Sequence, residues 1–276
     1  MLMGLGCTIG GAAGARVIDN WGQRILTIML TWAVPCAAIA TVMPTLATIF
    51  FGARGILVML GIYAYMFFMI FITAKIFGNK LSPVAERTGM LMELPPYHRP
   101  RWANVLYTSF AKSWDIFKRA LRVIFLISVI FWALSFSSTG RAENSIIYRF
   151  GTYIEPVTRF FGLPWQLFMA FVASAMGKES ALGVLASLFS SSAIWQAVEV
   201  RSAVDTVALS SDMLSAISKP EALAFLFAFF FNMPCLMTLA ATAQETKKWT
   251  ITIALYYIFF ALILAFAAYR IGLLLF

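Results

Sequence analysis

The chain has 276 residues, of which 61% are hydrophobic and only 12% are charged, and its mean hydropathy is +0.84. Soluble domains contain about 45–50% apolar and about 25% charged residues, so this composition excludes a water-soluble globular fold. The net charge of +9 does not indicate a nucleic-acid partner. The cationic residues stand between apolar segments, where they contact lipid headgroups and set membrane topology. The sequence therefore predicts an all-α, polytopic membrane protein surrounded by lipid.

Six hydrophobic segments follow one another along the chain. A membrane-spanning helix needs about 20 mostly apolar residues. Three of the segments are continuous, whereas the first, fourth and fifth are interrupted by Pro or by Gly followed by charged residues. We therefore expect six spanning segments, several of them discontinuous. The segments are residues 25–51, 56–76, 120–136, 163–189, 222–243 and 250–276.

The polar residues between these segments divide the chain into three expected parts. Residues 1–76 hold the first two spans, residues 77–119 form a polar loop with an amphipathic helix, and residues 120–276 hold the remaining spans. The stretch 75–122 has nine Lys and Arg against three Asp and Glu, and this surplus of six positive charges predicts a cytoplasmic location. The orientation of the last spans stays open, because the cationic residues just before the final span favour the opposite orientation to the one that a cytoplasmic loop at 75–122 implies.

Each of the three cysteines lies where a helix is expected to break. Cys7 lies in a Gly-rich stretch, and a proline directly precedes both Cys36 and Cys235. Broken helices at membrane depth are tolerated where they face protein or a water-lined cavity, and transporters use them to bind substrates. A tight packing seam at Cys7 and a plain kink at Cys36 remain alternatives. At Cys235 a helix would add Thr238 and Thr242 to the same face, which favours a functional role.

Glu179 is the strongest single candidate for a functional residue, because an ionisable side chain inside an apolar span is costly. If the span is helical there, Met176, Ser180 and Gly183 share a face with Glu179. The alternative is a structural ion pair between Glu179 and its neighbour Lys178. The three cysteines, a thioether and a carboxylate together predict a site for a transition metal, with Fe²⁺, Zn²⁺ and Cu⁺ all open by ligand type.

Other kinds of site are not expected from this sequence. The single histidine, His98, lies in the polar loop, which excludes a His-rich metal site. The sequence contains no GxxxxGK[ST] motif, so it includes no phosphate-binding loop. No pairing of a nucleophile with a base is readable, and we therefore expect no catalytic residues and no enzyme activity.

Several motifs in the same order resemble the C-terminal membrane region of the ferrous-iron transport protein B family. The similarity extends over nearly the whole chain, and all three cysteines stand where that family has cysteines. The matching stretches are residues 4–16 with 23–28, the MELPPY sequence at 92–97, the PW to GKE segment at 164–179, and the PC to ET segment at 234–246.

The resemblance implies a permease domain for uptake of Fe²⁺ across the bacterial cytoplasmic (inner) membrane. It implies Fe²⁺ as the transported ion, no permanently bound cofactor, and GTP handled by a G domain or other permease subunit outside this sequence; a homo-oligomer is left open. Two alternatives are a non-transporting partner subunit of a complete permease and a transporter of an organic solute. The expected metal-contacting residues are Cys7, Cys36, Met176, Glu179 and Cys235.

Overall fold

The computed structural model describes residues 2–81, 101–135, 146–189, 213, 216–246 and 249–275. Within these ranges there is no β-strand, which confirms the predicted all-α class. Two short 3-10 segments, Ala15–Val17 and Gly52–Arg54, join helices. The helices are α1 Leu2–Gly6, α2 Thr8–Gly14, α3 Trp21–Ala33, α4 Ala37–Phe51, α5 Gly55–Leu81, α6 Trp102–Ser135, α7 Ile146–Phe160, α8 Trp165–Ala173, α9 Ser180–Phe189, α10 Lys219–Phe231, α11 Leu236–Thr246 and α12 Trp249–Leu275.

The outer surface of the described helices is apolar enough for lipid. Three stretches of the described chain are long and apolar enough to cross a membrane, namely Trp21–Asn79, Lys219–Thr246 and Trp249–Leu275. Large apolar side chains such as Phe67 on α5 and Phe259 on α12 are exposed. A soluble protein rarely exposes such continuous apolar surface, whereas lipid tails are equally apolar. The structure therefore agrees with an α-helical membrane protein.

The helix α10 lies at the centre of the main hydrophobic core. Its sequence is apolar on every side, which is typical of a helix surrounded by others. It packs along α12 and also contacts α4, α5 and α8, and its largest fully buried side chains are Phe225 and Phe229. At its start, Ser218 and Glu221 form a capping box, which satisfies amide groups that the first turn leaves free.

The Gly-rich N-terminus forms a tight contact with α3. Gly4 and Gly11 both face Thr31, and a Cβ added to Gly4 would lie only 2.8 Å from Thr31 Cγ2. A Cβ added to Gly11 would overlap the same methyl group. The expectation of close backbone approach in this stretch is therefore confirmed, and it brings α1 and α2 against the helix that precedes Cys36.

This contact yields a prediction for the variant Gly11→Ala. We expect the overlap with Thr31 to destabilise the protein by about 1–3 kcal/mol, as overpacking of a filled interior does. A second change, Thr31→Ser, should restore stability because it removes the methyl but keeps the hydroxyl that donates to the Thr27 carbonyl oxygen. The midpoint of thermal unfolding in detergent measures both effects.

The control for that experiment is Gly61→Ala on α5, where a Cβ would meet no atom within 4 Å. There alanine should stabilise the helix by about 0.5–1 kcal/mol, because glycine loses more backbone entropy on folding. A Gly11→Ala variant as stable as the parent protein would contradict the proposed contact with Thr31.

Two parts of the chain differ from what the sequence predicts. The amphipathic stretch and the third span form one uninterrupted helix, α6, of 34 residues. The helix α7 was not predicted, because its charged residues and its internal proline, Pro156, are typical of a loop. The motif at 92–97 lies outside the described residues.

Candidate functional site: a junction of broken helices

Two helix breaks follow directly from the positions of proline. The residue before a proline is driven out of the helical region, and Val34 before Pro35 is accordingly extended, with φ −84° and ψ 131°. The helix α3 therefore ends at Ala33, and α4 begins after Cys36. After α10, Asn232 is extended, with φ −61° and ψ 154°. Pro234, two residues later, lacks the amide hydrogen that a continuing helix would need.

A third break separates α8 from α9, and it is wider than the sequence predicts. Residues 174–179 form turns rather than a helix, so the predicted helical face of Met176, Glu179, Ser180 and Gly183 is wrong. Their amides bond locally in turns, as that of Ala175 does to the Val172 carbonyl oxygen at 3.1 Å. The Ala175 carbonyl oxygen instead accepts a hydrogen bond of 2.9 Å from the amide of Leu236, which connects this break to the start of α11. We call the breaks at 34–36, 174–179 and 232–235, taken together, the junction.

Asn232 joins two of the breaks through its buried side-chain amide. Its Nδ2 donates to the Phe171 carbonyl oxygen at 3.1 Å and to Ser174 Oγ at 2.8 Å. Its Oδ1 accepts from the amide of Met233 at 2.8 Å. These bonds satisfy polar groups that have no water to contact at this depth, and they fix the end of α8 against the end of α10.

Lys178 supplies a buried cation to the junction. Its side chain is only 2% exposed, and Nζ donates to the Phe229 carbonyl oxygen at 3.0 Å. The same Nζ lies 5.1 Å from the centre of the Phe229 ring, within range of a cation–π interaction. Two cysteines lie in the same region: Cys36 packs against the core that contains Phe229, and Cys235 directly precedes Leu236, whose amide donates to the Ala175 carbonyl oxygen.

Glu179 turns away from this buried cation. The residue is exposed, and its Oε2 lies 3.5 Å from the position that a Cβ on Gly177 would occupy. The ion pairs formed within the described chain join Arg16 with Glu245 and Arg159 with Glu155. The described chain therefore contains no Lys178–Glu179 ion pair, which was the structural alternative.

The three cysteines are free and lie next to helix breaks, as predicted. Cys36 immediately precedes α4 and packs against the main core. Cys235 immediately precedes α11, with its Sγ 3.4 Å from Thr238 Oγ1. Cys7 precedes α2 and is exposed.

The five predicted metal-contacting residues are not gathered into one cluster. Among the described residues, no group of three or more His, Cys, Asp or Glu side chains lies close enough to hold a metal ion. The junction brings together Cys36, Cys235 and the segment that contains Met176, with Glu179 on the exposed side of that segment. The exposed Cys7 lies at the start of α2, a helix that packs against α11.

Sequence reasoning missed the polar groups that hold the junction together. Asn232 was not among the predicted site residues, although an amide inside an apolar span signals buried hydrogen bonds. Trp32 Nε1 donates to Thr242 Oγ1 at 3.2 Å, which joins α3 to α11. Arg16, in the 3-10 segment that follows α2, pairs with the carboxylate of Glu245 near the end of α11. Both residues lie in stretches that the motif comparison had matched without suggesting a contact.

Long apolar helices, several of them discontinuous at membrane depth, define an α-helical membrane protein. Two family models match the chain. The model described as "Ferrous iron transport protein B C terminus" matches residues 59–112, and the model "Nucleoside recognition" matches residues 117–249. No solved structure matches it.

Relatives named "Fe(2+) transporter FeoB" match the chain from end to end. The protein from Methanocaldococcus jannaschii is 28% identical over 289 residues, covering 100% of this chain and 41% of the relative. The one from Leptospira biflexa is 26% identical, covering 99% and 42%. A "Fe(2+) transport protein A/Fe(2+) transporter FeoB fusion protein" from Porphyromonas gingivalis is 25% identical, covering 100% and 38%.

The chain thus spans about two fifths of the length of these relatives. The resemblance inferred from the motifs is confirmed: the chain is similar to the C-terminal part of ferrous-iron transport protein B.

Proposed function

We propose that this chain is a permease domain that carries Fe²⁺ across a bacterial cytoplasmic membrane, with the ion passing through the junction. The observation that carries the proposal is the meeting of the broken helices beside Cys36, Cys235 and Lys178 inside an apolar bundle. Broken helices expose carbonyl oxygens and helix ends to a substrate at membrane depth. The names of the relatives support Fe²⁺ as the substrate.

The proposed ligands act in sequence along the path. The exposed carboxylate of Glu179 attracts the cation at one entrance, and the thioether of Met176 lies next along the same segment. Cys36 and Cys235 then offer thiolates, for which Fe²⁺ competes better than Mg²⁺ or Ca²⁺ do. Cys7, exposed at the start of α2, provides a further thiol contact for the ion. Fe²⁺ is here a substrate that binds and leaves, which suits ligands that are not gathered into one closed site.

The surroundings of the domain follow from the same proposal. The chain crosses the inner membrane several times, with lipid against α5 and α12, and the strongly cationic residues 77–119 face the cytoplasm. A G domain, in the same polypeptide or on a separate chain, supplies GTP binding. In this arrangement, residues 1–76 and 120–276 act as two gate segments whose helices pack together around α10.

The test is the double variant Cys36→Ala/Cys235→Ala, assayed for uptake of radioactive Fe²⁺ in the native host under anaerobic conditions. We expect uptake to fall by about tenfold or more, the loss that follows when the environment of a metal site is damaged. Membrane abundance should stay unchanged, because alanine replaces a half-buried thiol at each position. Quantitative immunoblotting of membranes measures that abundance.

The matched control is Thr48→Ala, which removes an exposed hydroxyl further along the same helix α4. It should leave Fe²⁺ uptake at the parent level. Full uptake by the double cysteine variant would refute the proposed path. Unchanged Fe²⁺ uptake together with reduced uptake of a labelled nucleoside would favour the organic-solute alternative.

A further inference from the structure

Lys178 is a buried cation for which the described chain provides no carboxylate partner. Lys178 is only 2% exposed, and the ion pairs within the described residues join other side chains. Buried charged side chains are normally paired with an opposite charge or bound to a metal ion. The position of this ammonium group therefore needs a specific explanation.

The carbonyl oxygen that Lys178 contacts is one that the helix break has released. In an uninterrupted helix, the Phe229 carbonyl would accept a hydrogen bond from the amide of residue 233. Here the Met233 amide donates to Asn232 Oδ1 instead. The ammonium of Lys178 takes its place at 3.0 Å, at the negative end of the α10 dipole, where a positive charge is favoured.

Two thiols lie at the same junction. Cys36 packs against the core that contains Phe229, and Cys235 directly precedes Leu236, whose amide donates to the Ala175 carbonyl oxygen. These are the thiols proposed to bind an incoming metal ion. A metal cation at the junction would contact the Phe229 carbonyl oxygen, the Phe229 ring and the two thiols. The ammonium of Lys178 already lies beside the carbonyl and the ring.

We propose that Lys178 is a tethered cation that occupies the junction when no metal ion is bound, and that an entering divalent ion has to displace it. The inference rests on the proposed passage of Fe²⁺ through this junction. A divalent ion interacts with the thiolates and the carbonyl about twice as strongly as a single charge at equal distance. A monovalent ion gains nothing over the ammonium that is already there, so Lys178 makes the junction selective for divalent ions.

The test uses Co²⁺ as a probe and measures how it protects Cys36 and Cys235 from maleimide, with each cysteine read separately by mass spectrometry. The purified full chain in lipid nanodiscs is compared with three variants. Lys178→Met removes both charge and donor, Lys178→Gln removes the charge but keeps a donor for the Phe229 carbonyl, and Lys178→Arg keeps the charge. Arg159→Met removes an exposed positive charge and is the matched control.

We expect Lys178→Gln and Lys178→Met to reach half-protection at about tenfold lower Co²⁺, because a like charge no longer opposes the ion. Lys178→Arg and Arg159→Met should match the parent. If Lys178→Met does not fold, Lys178→Gln carries the test, since it can still satisfy the carbonyl.

An unchanged or higher Co²⁺ requirement in Lys178→Gln would overturn the proposal and leave Lys178 as a cap for the end of α10. An equal shift in Lys178→Arg would overturn it as well, because the charge would then be irrelevant. Protection of the thiols by Co²⁺ does not depend on transport. A parent chain that fails to take up Fe²⁺ would therefore refute the proposed function without deciding this inference.

Discussion

Replacing Asn232 by leucine should produce the largest loss of stability in this protein. The side-chain amide makes three buried hydrogen bonds, to the Met233 amide, the Phe171 carbonyl and Ser174 Oγ. Leucine has a similar size but leaves the buried Met233 amide unsatisfied, at about 1–3 kcal/mol. It also removes the bonds to the Phe171 carbonyl and Ser174 Oγ, about 1 kcal/mol each, although these two groups still bond each other at 2.7 Å. We expect the midpoint of thermal unfolding to fall by more than ten degrees or the protein to disappear from membranes, as measured by heat-stepped size-exclusion chromatography in detergent.

The matched control is Asn79→Leu, which makes the same chemical change at an exposed position near the end of α5. Surface substitutions of this kind stay within about 0.5 kcal/mol of the parent. An Asn232→Leu variant that unfolds at the parent temperature would show that the amide does not hold the junction together.

The change Glu179→Gln should have the largest effect on Fe²⁺ uptake with the smallest effect on folding. Glutamine keeps the shape and removes the negative charge that attracts the ion, so we expect uptake to fall to background. Because Glu179 is exposed and Lys178 bonds to the Phe229 carbonyl instead, no buried ammonium is left without a partner. Membrane abundance should therefore equal that of the parent protein.

Glu155→Gln serves as the control for charge removal, since Glu155 forms a solvent-accessible pair with Arg159. Such pairs contribute about 0–1 kcal/mol, and the variant should take up Fe²⁺ normally. Normal Fe²⁺ uptake by Glu179→Gln would remove this residue from the proposed path. A loss of abundance in Glu179→Gln would instead assign it a structural role.

Most helix boundaries near the site could be predicted because they depend on local covalent chemistry. Pro35 and Pro234 each lack an amide hydrogen, and the chain leaves the helix beside both, as the sequence indicates. Pro44 does not end α4, since a membrane helix can pack around a missing hydrogen bond. The interruption of the fourth segment at Gly177 was predicted, but its extent over 174–179 was not, because the Ala175 carbonyl bonds to the amide of Leu236, a distant residue.

The candidate site was predicted by residue type more successfully than by arrangement. The sequence located the cysteines at helix breaks, because proline and glycine mark those breaks locally. The direction of the Lys178 side chain could not be predicted, since it depends on a carbonyl freed fifty-one residues away, at Phe229. The assignment of Glu179 as a metal contact stays a prediction, as do those of Cys7, Cys36, Met176 and Cys235.

The hydrogen bonds between the second and third breaks limit how this protein can change shape. Four bonds connect the segment 171–178 with the segment 229–236, and together they contribute about 2–6 kcal/mol. A motion that separates α8 from α10 would have to break them where no water replaces them. The two helices therefore move as one rigid body. Sliding of α4 past that body, a shear motion made of small side-chain adjustments, is the movement that leaves all four bonds intact.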